Sequence, residues 1–181
     1  MRSRTDGTLF LVVGPSGAGK DTLIAYAAGV LSATHAFPRR VVTRPADAGG
    51  EDHEAMSAEA FAALAAAGGF ALTWRAHGLR YGIRSDIGTL LAAGRHVVCN
   101  VSRSVVDEAR QRFRTLVVAI EASPAVRARR LLQRGRETPE DVAARLERRV
   151  DAAPDATIRN EGTVADACAR FVTILSERPH P

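Results

Sequence analysis

A glycine-rich segment that ends in a lysine carries the most specific chemistry in this sequence. Its spacing, Gly14-x4-Gly19-Lys20, follows the apolar run at 9–13 and precedes a helical pattern that begins at Asp21. Glycines let successive backbone N–H groups converge on phosphate oxygens, the helix directs its positive end at them, and the lysine reaches the terminal phosphates. We therefore expect a nucleotide-phosphate site rather than a glycine-rich turn without chemistry. The residues of this segment expected to bind the nucleotide are Gly14, Pro15, Ser16, Gly17, Ala18, Gly19, Lys20, Asp21 and Thr22.

The residues around Lys20 are unusual. Lys20 is the single lysine in a chain with 24 arginines, at a position where a compact ammonium is better suited than a planar guanidinium. Phosphate loops normally continue with a hydroxyl that ligates magnesium, whereas Asp21 comes next here and Thr22 follows it. The strand that ends at Cys99 is followed by Asn100, where many such proteins place a metal-orienting aspartate. Since a carboxylate also binds magnesium, we expect Asp21 to be the metal ligand; the alternative is that it only favours the first helical turn.

A dense arginine cluster occupies the segment from about 127 to 149 and is interrupted by Gly135. Most of these arginines are expected to lie on solvated helix faces. The glycine between two capped helical patterns also resembles a mobile lid, which would bring cations over a transferring phosphate and exclude water. The catalytic arginines expected from this lid are Arg130, Arg134 and Arg136.

Cations, histidines and hydroxyl groups are also concentrated between about 39 and 83, a density that suits a phosphorylated acceptor. A metal site built on His53 and His77 is disfavoured, because they lack helical ligand spacing and no thiolate lies near them in sequence. Trp74 and Phe70 are expected in the core. The members of the group are Arg39, Arg40, Thr43, Arg44, Glu51, Asp52, His53, Arg75, His77, Tyr81 and Arg84.

The elements around these groups predict an α/β fold, with a parallel sheet covered by helices. Apolar segments at 9–13, 96–99 and 115–120 each precede a helical pattern, which is the alternation typical of such sheets. Ser57, Ser123 and Thr138 supply capping hydroxyls for helices. The segments 70–74 and 79–83 are predicted as strands joined by His77-Gly78, so the region from about 39 to 83 is interpreted as a small, partly β insertion.

Composition bounds the protein class. The 181 residues are 46% hydrophobic and 25% charged with a net charge of +5, values typical of one globular domain over 1–181. Cys99 and Cys168 show no metal or disulfide pattern, and no apolar run reaches the length of a membrane crossing, so we expect a soluble, cytoplasmic protein. The basic balance suits polyanions, but the arginine-rich stretches lack the interleaved aromatics of a single-strand nucleic-acid binder. Oligomeric state is not determined by the sequence.

Nearly the whole chain resembles a known family. Residues 14–20, the Thr43-Arg44-Pro45 element, Tyr81-Gly82 and the arginine lid are similar to the guanylate kinase fold of P-loop kinases. Within that group, the chain resembles the ribose 1,5-bisphosphate phosphokinases of phosphonate degradation. The further segments that carry this likeness are Gly19-Lys20-Asp21-Thr22, Phe70-Ala71-Leu72-x-Trp74, Gly78-Leu79-x-Tyr81-Gly82 and Arg134-Gly135-Arg136-Glu137.

The resemblance implies a reaction and a set of ligands. ATP, with Mg²⁺, would phosphorylate the 1-phosphate of ribose 1,5-bisphosphate, giving 5-phospho-α-D-ribose 1-diphosphate (PRPP) and ADP. Arg44 and Tyr81 would bind the acceptor, and His53 stands where guanylate kinases have a phosphate-binding tyrosine. Asn160, after an apparent strand at 157–159, stands where this fold meets the adenine.

The departures from guanylate kinases concern the base. Those enzymes recognise guanine with two acidic residues, and the corresponding positions here are Leu72 and Ser102. The loss of a buried hydrogen-bond partner costs about 1–3 kcal/mol, so guanine should bind poorly. Asp47 stands where those kinases have another arginine. Three rival functions remain open at this level: a kinase acting on GMP, a catalytically silent interaction module and a nucleic-acid binder.

Overall fold

A five-stranded parallel sheet forms the centre of the protein. The computed structural model describes residues 7–45, 52–133 and 153–177. In this part of the chain the main sheet has the strand order β2-β7-β1-β8-β9, and its strands are β1 (Leu9–Val13), β2 (His35–Ala36), β7 (His96–Asn100), β8 (Thr115–Glu121) and β9 (Ala156–Arg159).

The second sheet has four strands in the order β4-β3-β6-β5. Its strands are β3 (Arg40–Val42), β4 (His53–Ala55), β5 (Phe70–Ala76) and β6 (Leu79–Arg84). The helices are α1 (Lys20–Leu31), α2 (Ala58–Ala66), α3 (Ile87–Ala92), α4 (Val106–Arg112), α5 (Pro124–Gln133) and α6 (Val164–Ser176), and a short 3-10 helix spans Arg103–Val105.

The central strand β1 explains the layering. All five of its residues are fully buried, which requires cover on both faces and accounts for its unbroken apolar sequence. Phe10 and Val12 pack with α1 and α6, whereas Leu9, Leu11 and Val13 belong to a core shared with α3, α4 and one face of the second sheet. The expected α/β fold, a parallel sheet covered by helices, is thereby confirmed.

The second sheet lies within the segment interpreted as a partly β insertion. Its predicted hairpin is present: β5 and β6 are antiparallel, and His77 and Gly78 both adopt positive φ, at 52° and 73°, as a tight two-residue turn requires. On one face, helix α2 places Phe61 against Phe70, with ring centroids 4.4 Å apart. Ser57 caps α2 as predicted, since its Oγ accepts a hydrogen bond from the Ala60 N–H at 3.1 Å.

The predicted strands at 9–13, 96–99, 115–120, 70–74 and 79–83 are all present, and most extend one or two residues further. Strands β2, β3 and β4 and helix α3 were not predicted, because two to six residues are too few to show a hydrophobic period.

The structure also bears on the cysteines, on membrane-spanning helices and on the expected lid. Cys99 and Cys168 are both buried and free. Across the described ranges, no helix is long and apolar enough to cross a membrane. The part of the expected lid beyond α5, with Arg134, Gly135, Arg136 and Thr138, lies outside the described residues.

A buried histidine at the edge of the main sheet couples stability to pH. The His35 ring is within hydrogen-bond distance of the Leu175 carbonyl at 3.1 Å and of Thr34 Oγ1 at 2.8 Å, and its centroid lies 4.8 Å from that of His96. Burial lowers the pKa of His35; the Leu175 carbonyl opposes this shift, and the charge of Arg95 adds to it.

We predict that the free energy of unfolding falls as the pH drops below 6.5, because unfolded His35 then binds a proton that folded His35 resists. The stabilisation is complete above pH 6.5 and is lost toward the lower pKa of the folded state. Urea unfolding at a series of pH values, on wild type and His35→Gln, measures this. A wild-type curve as steep as that of the variant would contradict the prediction.

Candidate active site

The phosphate loop joins β1 to α1 along a path that only glycine can follow at its two ends. Gly14 has φ 148° and Gly19 has φ 95°. A Cβ at Gly14 would lie 2.2 Å from the Ile120 carbonyl oxygen, and one at Gly19 would lie 2.4 Å from Asn160 Nδ2. Strands β8 and β9 therefore press against the loop from one side, and they explain the glycine spacing seen in the sequence.

Lys20 folds back over the loop. Its ammonium donates hydrogen bonds to the carbonyl oxygens of Gly14 at 2.7 Å and Pro15 at 3.0 Å. Burial lowers the pKa of Lys20 to about 8; Asp21 opposes this shift, while the charges of Arg40, Arg103 and Arg127 contribute to it. The site thus concentrates positive charge before any ligand binds, as a binding site for several phosphates requires.

Two arginines of α5 donate hydrogen bonds to backbone carbonyl oxygens of the phosphate loop. The buried Arg127 donates from Nε to the Ser16 carbonyl at 3.0 Å. Arg130 donates from Nη1 to the carbonyls of Gly17 and Ala18, both at 3.4 Å. Arg130, expected as a lid cation, therefore supports the loop itself in this structure.

Asn160 joins this support from the end of β9. Its side-chain Nδ2 donates to the Ala18 carbonyl at 2.8 Å, and its backbone carbonyl oxygen accepts a hydrogen bond from Arg130 Nη2 at 3.0 Å. The side-chain oxygen Oδ1 is buried and has no hydrogen-bond partner among the described residues. Because a buried acceptor without a donor is costly, this atom is a candidate contact for a bound ligand.

A cleft of about 280 Å³ opens beside the loop. Its size is near the lower end of the range for small-molecule sites. Asn160, expected at the adenine, and Thr22, expected at the nucleotide, both face it. The full lining is Gly17, Gly19, Thr22, Leu23, Arg130, Asn160 and Val164.

Asp21 and Asn100 are in contact beside the loop, which the sequence did not predict. Asn100 Nδ2 donates to Asp21 Oδ1 at 2.8 Å, although the residues are 79 positions apart. Asn100 Oδ1 is buried, and no residue in the part of the chain that the structure describes forms a hydrogen bond with it. A carboxylate beside an unsatisfied amide oxygen fits the oxygen ligands that Mg²⁺ prefers. Within the described ranges, no group of three or more His, Cys, Asp or Glu side chains could hold a metal by itself.

The face of the second sheet that packs on the main core carries the predicted acceptor residues. Tyr81 is buried and stacks on Trp74, with centroids 5.4 Å apart and an interplanar angle of 8°, and the Arg40 guanidinium lies 5.7 Å from the Tyr81 centroid. His53 is buried on β4 in register with Arg40. Arg44 follows β3 and lines a second cleft with Thr43, Pro45, Ala55, Met56, Ser57 and Ala58.

The structure separates other members of the predicted acceptor group from this face. Side chains alternate along a strand, so Arg75 and Arg84 lie on the opposite face from Trp74 and Ile83. Arg84 forms a two-pronged ion pair with Glu54. Arg39 is exposed and pairs with Asp52 at 3.2 Å. Neither Arg75 nor Arg84 therefore lies on the face that carries Tyr81 and Trp74.

Two arginines near the phosphate loop, Arg127 and Arg103, were not singled out from the sequence. Arg127 was present only as one of a cluster, and nothing in its spacing singled out its contact with the Ser16 carbonyl. Arg103 was not noted, although its charge acts on Lys20. The expected catalytic residues Arg134 and Arg136, together with Asp47, lie outside the described residues.

Comparison with known proteins decides the family. No family model matches the chain. It is 52% identical over 176 residues to the ribose 1,5-bisphosphate phosphokinase PhnN of Acidiphilium cryptum, a match that covers 93% of this chain and 92% of that protein. It is 49% identical to the protein of the same description from Methylobacterium radiotolerans, covering 93% of this chain and 97% of that one. The chain belongs to the ribose 1,5-bisphosphate phosphokinase family.

Other matches place the family in a wider context. This phosphokinase-family chain is 49% identical to a bifunctional ribose 1,5-bisphosphokinase-thymidine phosphorylase of Azorhizobium caulinodans, of which it spans 25%. Its fold is that of the guanylate kinase of Anaplasma phagocytophilum: the TM-score is 0.67 at 18% identity, with 95% of this chain and 86% of that one covered. At this identity the likeness shows the fold alone.

The two positions where guanylate kinases have base-reading acids have other roles in this family member. Leu72 is only 1% exposed and packs in the core. Ser102 caps the 3-10 helix, since its Oγ accepts from the Ser104 N–H at 3.3 Å. Neither side chain supplies a carboxylate.

We predict that Gly19→Ala lowers the affinity for ATP by at least 10-fold. The new methyl group would lie 2.4 Å from Asn160 Nδ2 and would displace that side chain, and the backbone at position 19 has a positive φ that alanine rarely adopts. Equilibrium binding of ATP measures the effect. Gly29→Ala, within the helix α1 that Gly19 precedes, is the matched control, since nothing lies within 4 Å of a Cβ added at position 29. It should leave ATP affinity unchanged and add about 0.5–1 kcal/mol of stability. Equal ATP affinities of the two variants would refute the prediction.

Proposed function

We propose that this protein transfers the γ-phosphoryl group of ATP to the 1-phosphate of ribose 1,5-bisphosphate, forming PRPP and ADP. One observation carries the proposal: a phosphate loop constrained by glycines holds Lys20 close enough to Arg40 of the second sheet for their charges to interact, and the positions where guanylate kinases read the base, Leu72 and Ser102, supply no carboxylate. The names of the relatives that share about half of the sequence support it. The substrate is then a small molecule, with ATP and Mg²⁺ as the other reactants.

The reaction needs no general base. The nucleophile is an oxygen of the acceptor phosphate, which is already ionised near neutral pH. It forms a bond to the γ-phosphorus while the bond from that phosphorus to the β–γ bridging oxygen of ATP breaks, and ADP leaves with that electron pair. Catalysis therefore consists of positioning the two reactants in line and stabilising their charge.

Repulsion between the two anions is the main barrier that the protein must offset. Two unit charges about 4 Å apart interact with about 4 kcal/mol at an effective dielectric constant near 20. Lys20 can exchange its two loop carbonyls for phosphate oxygens, and Arg40 and Arg44 lie on the acceptor side. Bound Mg²⁺ would be held by Asp21 and Asn100 and would neutralise phosphate charge.

The remaining residue roles follow from position. Residues Gly14 to Thr22 would hold the ATP phosphates, Asn160 would contact the adenine, and Arg44, His53 and Tyr81 would bind the acceptor. Arg130 would steady the loop from the nucleotide side, while Arg134 and Arg136 would complete the catalytic cations. We further propose a cytoplasmic role in supplying PRPP during phosphonate degradation, as the family resemblance implies.

We predict that the purified protein, incubated with Mg²⁺, ATP and a panel of phosphorylated acceptors, converts ribose 1,5-bisphosphate to a product heavier by one phosphoryl group. Mass spectrometry of the products provides the measurement. GMP should react poorly, because Leu72 cannot accept from a guanine edge. The Lys20→Ala variant should keep its thermal unfolding temperature and lose turnover by about 10²-fold or more, since it removes a cation at the transferring phosphate. Consumption of GMP with the bisphosphate unaltered would overturn the proposal.

We predict that Asp21→Asn raises the Mg²⁺ concentration needed for half-maximal turnover by at least 10-fold, because it removes the carboxylate that contacts Asn100. Turnover measured against free Mg²⁺ at saturating ATP tests this. Glu161→Gln provides a control at an exposed carboxylate whose described contact is with the Ser123 N–H. An unchanged Mg²⁺ requirement in Asp21→Asn would mean that Asp21 is only a first-turn acid.

A further inference from the structure

Arg40 lies on β3, an inner strand of the second sheet, on the face that also carries His53, Tyr81 and Trp74. It pairs in register with His53 on β4, while Leu72 pairs with Ile83 on the far strands, and Val41 pairs with Gly82 between them. The row across the four strands is therefore His53, Arg40, Ile83 and Leu72, and side chains in one row point to the same face. Arg40 introduces a guanidinium into a row whose other members are an imidazole and two aliphatic groups.

The surroundings hold this guanidinium in place. It lies over the Tyr81 ring at 5.7 Å, and Tyr81 in turn is stacked on Trp74. Burial lowers the pKa of Arg40, and the negative charge of Asp21 opposes that shift. A cation taken out of water in this way is tolerated when an anion compensates it. Asp21 supplies such an anion, and a phosphate of the acceptor would be another.

The position of the row indicates which end of the acceptor Arg40 meets. Leu72 occupies the place where guanylate kinases carry a base-reading acid, at the end of the acceptor remote from the transferred phosphoryl group. In this chain the same row has lost the carboxylate and contains a cation. At the remote end of the acceptor, a carboxylate would bind a group that donates hydrogen bonds, such as a base edge. A guanidinium there would bind a negatively charged group instead.

A second cation is available for the other end. Arg44 lies four residues beyond Arg40, up to about 13 Å along an extended strand, and it lines the separate cleft at the end of β3 and β4. Two arginines at this spacing can contact two phosphates of one small sugar.

We propose that Arg40 binds the acceptor phosphate that does not receive the phosphoryl group, and so selects a doubly phosphorylated sugar over a nucleotide. This inference rests on the proposed function and names the residue that determines its acceptor specificity. Arg40 is a binding residue in this role: it contributes affinity for the remote phosphate and takes no part in the bond changes at the γ-phosphorus.

The test compares acceptors that differ in one phosphate. Arg40→Gln should raise the KM for ribose 1,5-bisphosphate about 100-fold with kcat within about 3-fold, the effect expected of a lost charge-assisted contact. It should raise the inhibition constant of ribose 5-phosphate, which carries the remote phosphate and has no 1-phosphate to react, by a similar factor. The kcat/KM for ribose 1-phosphate should stay within about 3-fold of wild type.

Matched variants separate binding from folding. Arg75→Gln removes an exposed arginine from the opposite face of the same sheet and should change none of these constants. Arg40→Lys keeps the charge without the planar group and should give intermediate values even if Arg40→Gln proves unstable. Thermal unfolding and ATP affinity of each variant show that the nucleotide site is intact.

The outcomes are distinguishable from failure of the proposed function. If wild type does not convert the bisphosphate, the proposed reaction fails, and calorimetric binding of ribose 5-phosphate still tests Arg40. Binding that is present in wild type and Arg75→Gln but lost in Arg40→Gln supports the subsite. Equal losses for ribose 1,5-bisphosphate and ribose 1-phosphate, or unchanged ribose 5-phosphate binding, would overturn it.

Discussion

The close approach of three backbone segments at the phosphate loop is the constraint on which the rest of this structure depends. Gly14 lies against Ile120 at the end of β8, and Gly19 lies against Asn160 at the end of β9. These contacts exist only because the sheet places β1, β8 and β9 side by side with their carboxyl ends at one edge. The loop conformation is thus a product of the sheet order, and the arginines of α5 complete its support.

Electrostatics makes this edge of the sheet useful and also costly. Burial and neighbouring cations lower the pKa of Lys20 to about 8, and burial is likewise the main cause that lowers the pKa of Arg40 and Arg127. The protein therefore holds several cations partly out of water, with Asp21 as a nearby counter-charge. Phosphates of the two substrates can provide the remaining compensation, which links affinity and catalysis to the same set of charges.

Much of the architecture could be predicted from local patterns. Strands β1, β7 and β8 are continuous apolar runs, and β5 and β6 flank a turn whose His-Gly sequence favours positive φ. The short strands β2, β3 and β4 could not be predicted, because their hydrogen bonds depend on neighbours that are distant in sequence. In the site, the sequence singled out Asp21 and Asn100 separately, and their contact depends on the fold. The inclusion of Arg75 and Arg84 in the acceptor group was not supported, because composition alone does not assign a strand residue to a face.

The sequence by itself determined the phosphate loop, the solitary lysine, the α/β class and the family resemblance, since each depends on residue types at short, fixed spacing. Only the tertiary structure decided which arginines act together. Arg127 and Arg130 reach the loop from a helix more than 100 positions away, and Arg40 joins Tyr81 and Trp74 through strand register. A guanidinium has the same chemistry wherever it occurs, and its role depends on the face, the burial and the partner that folding assigns to it.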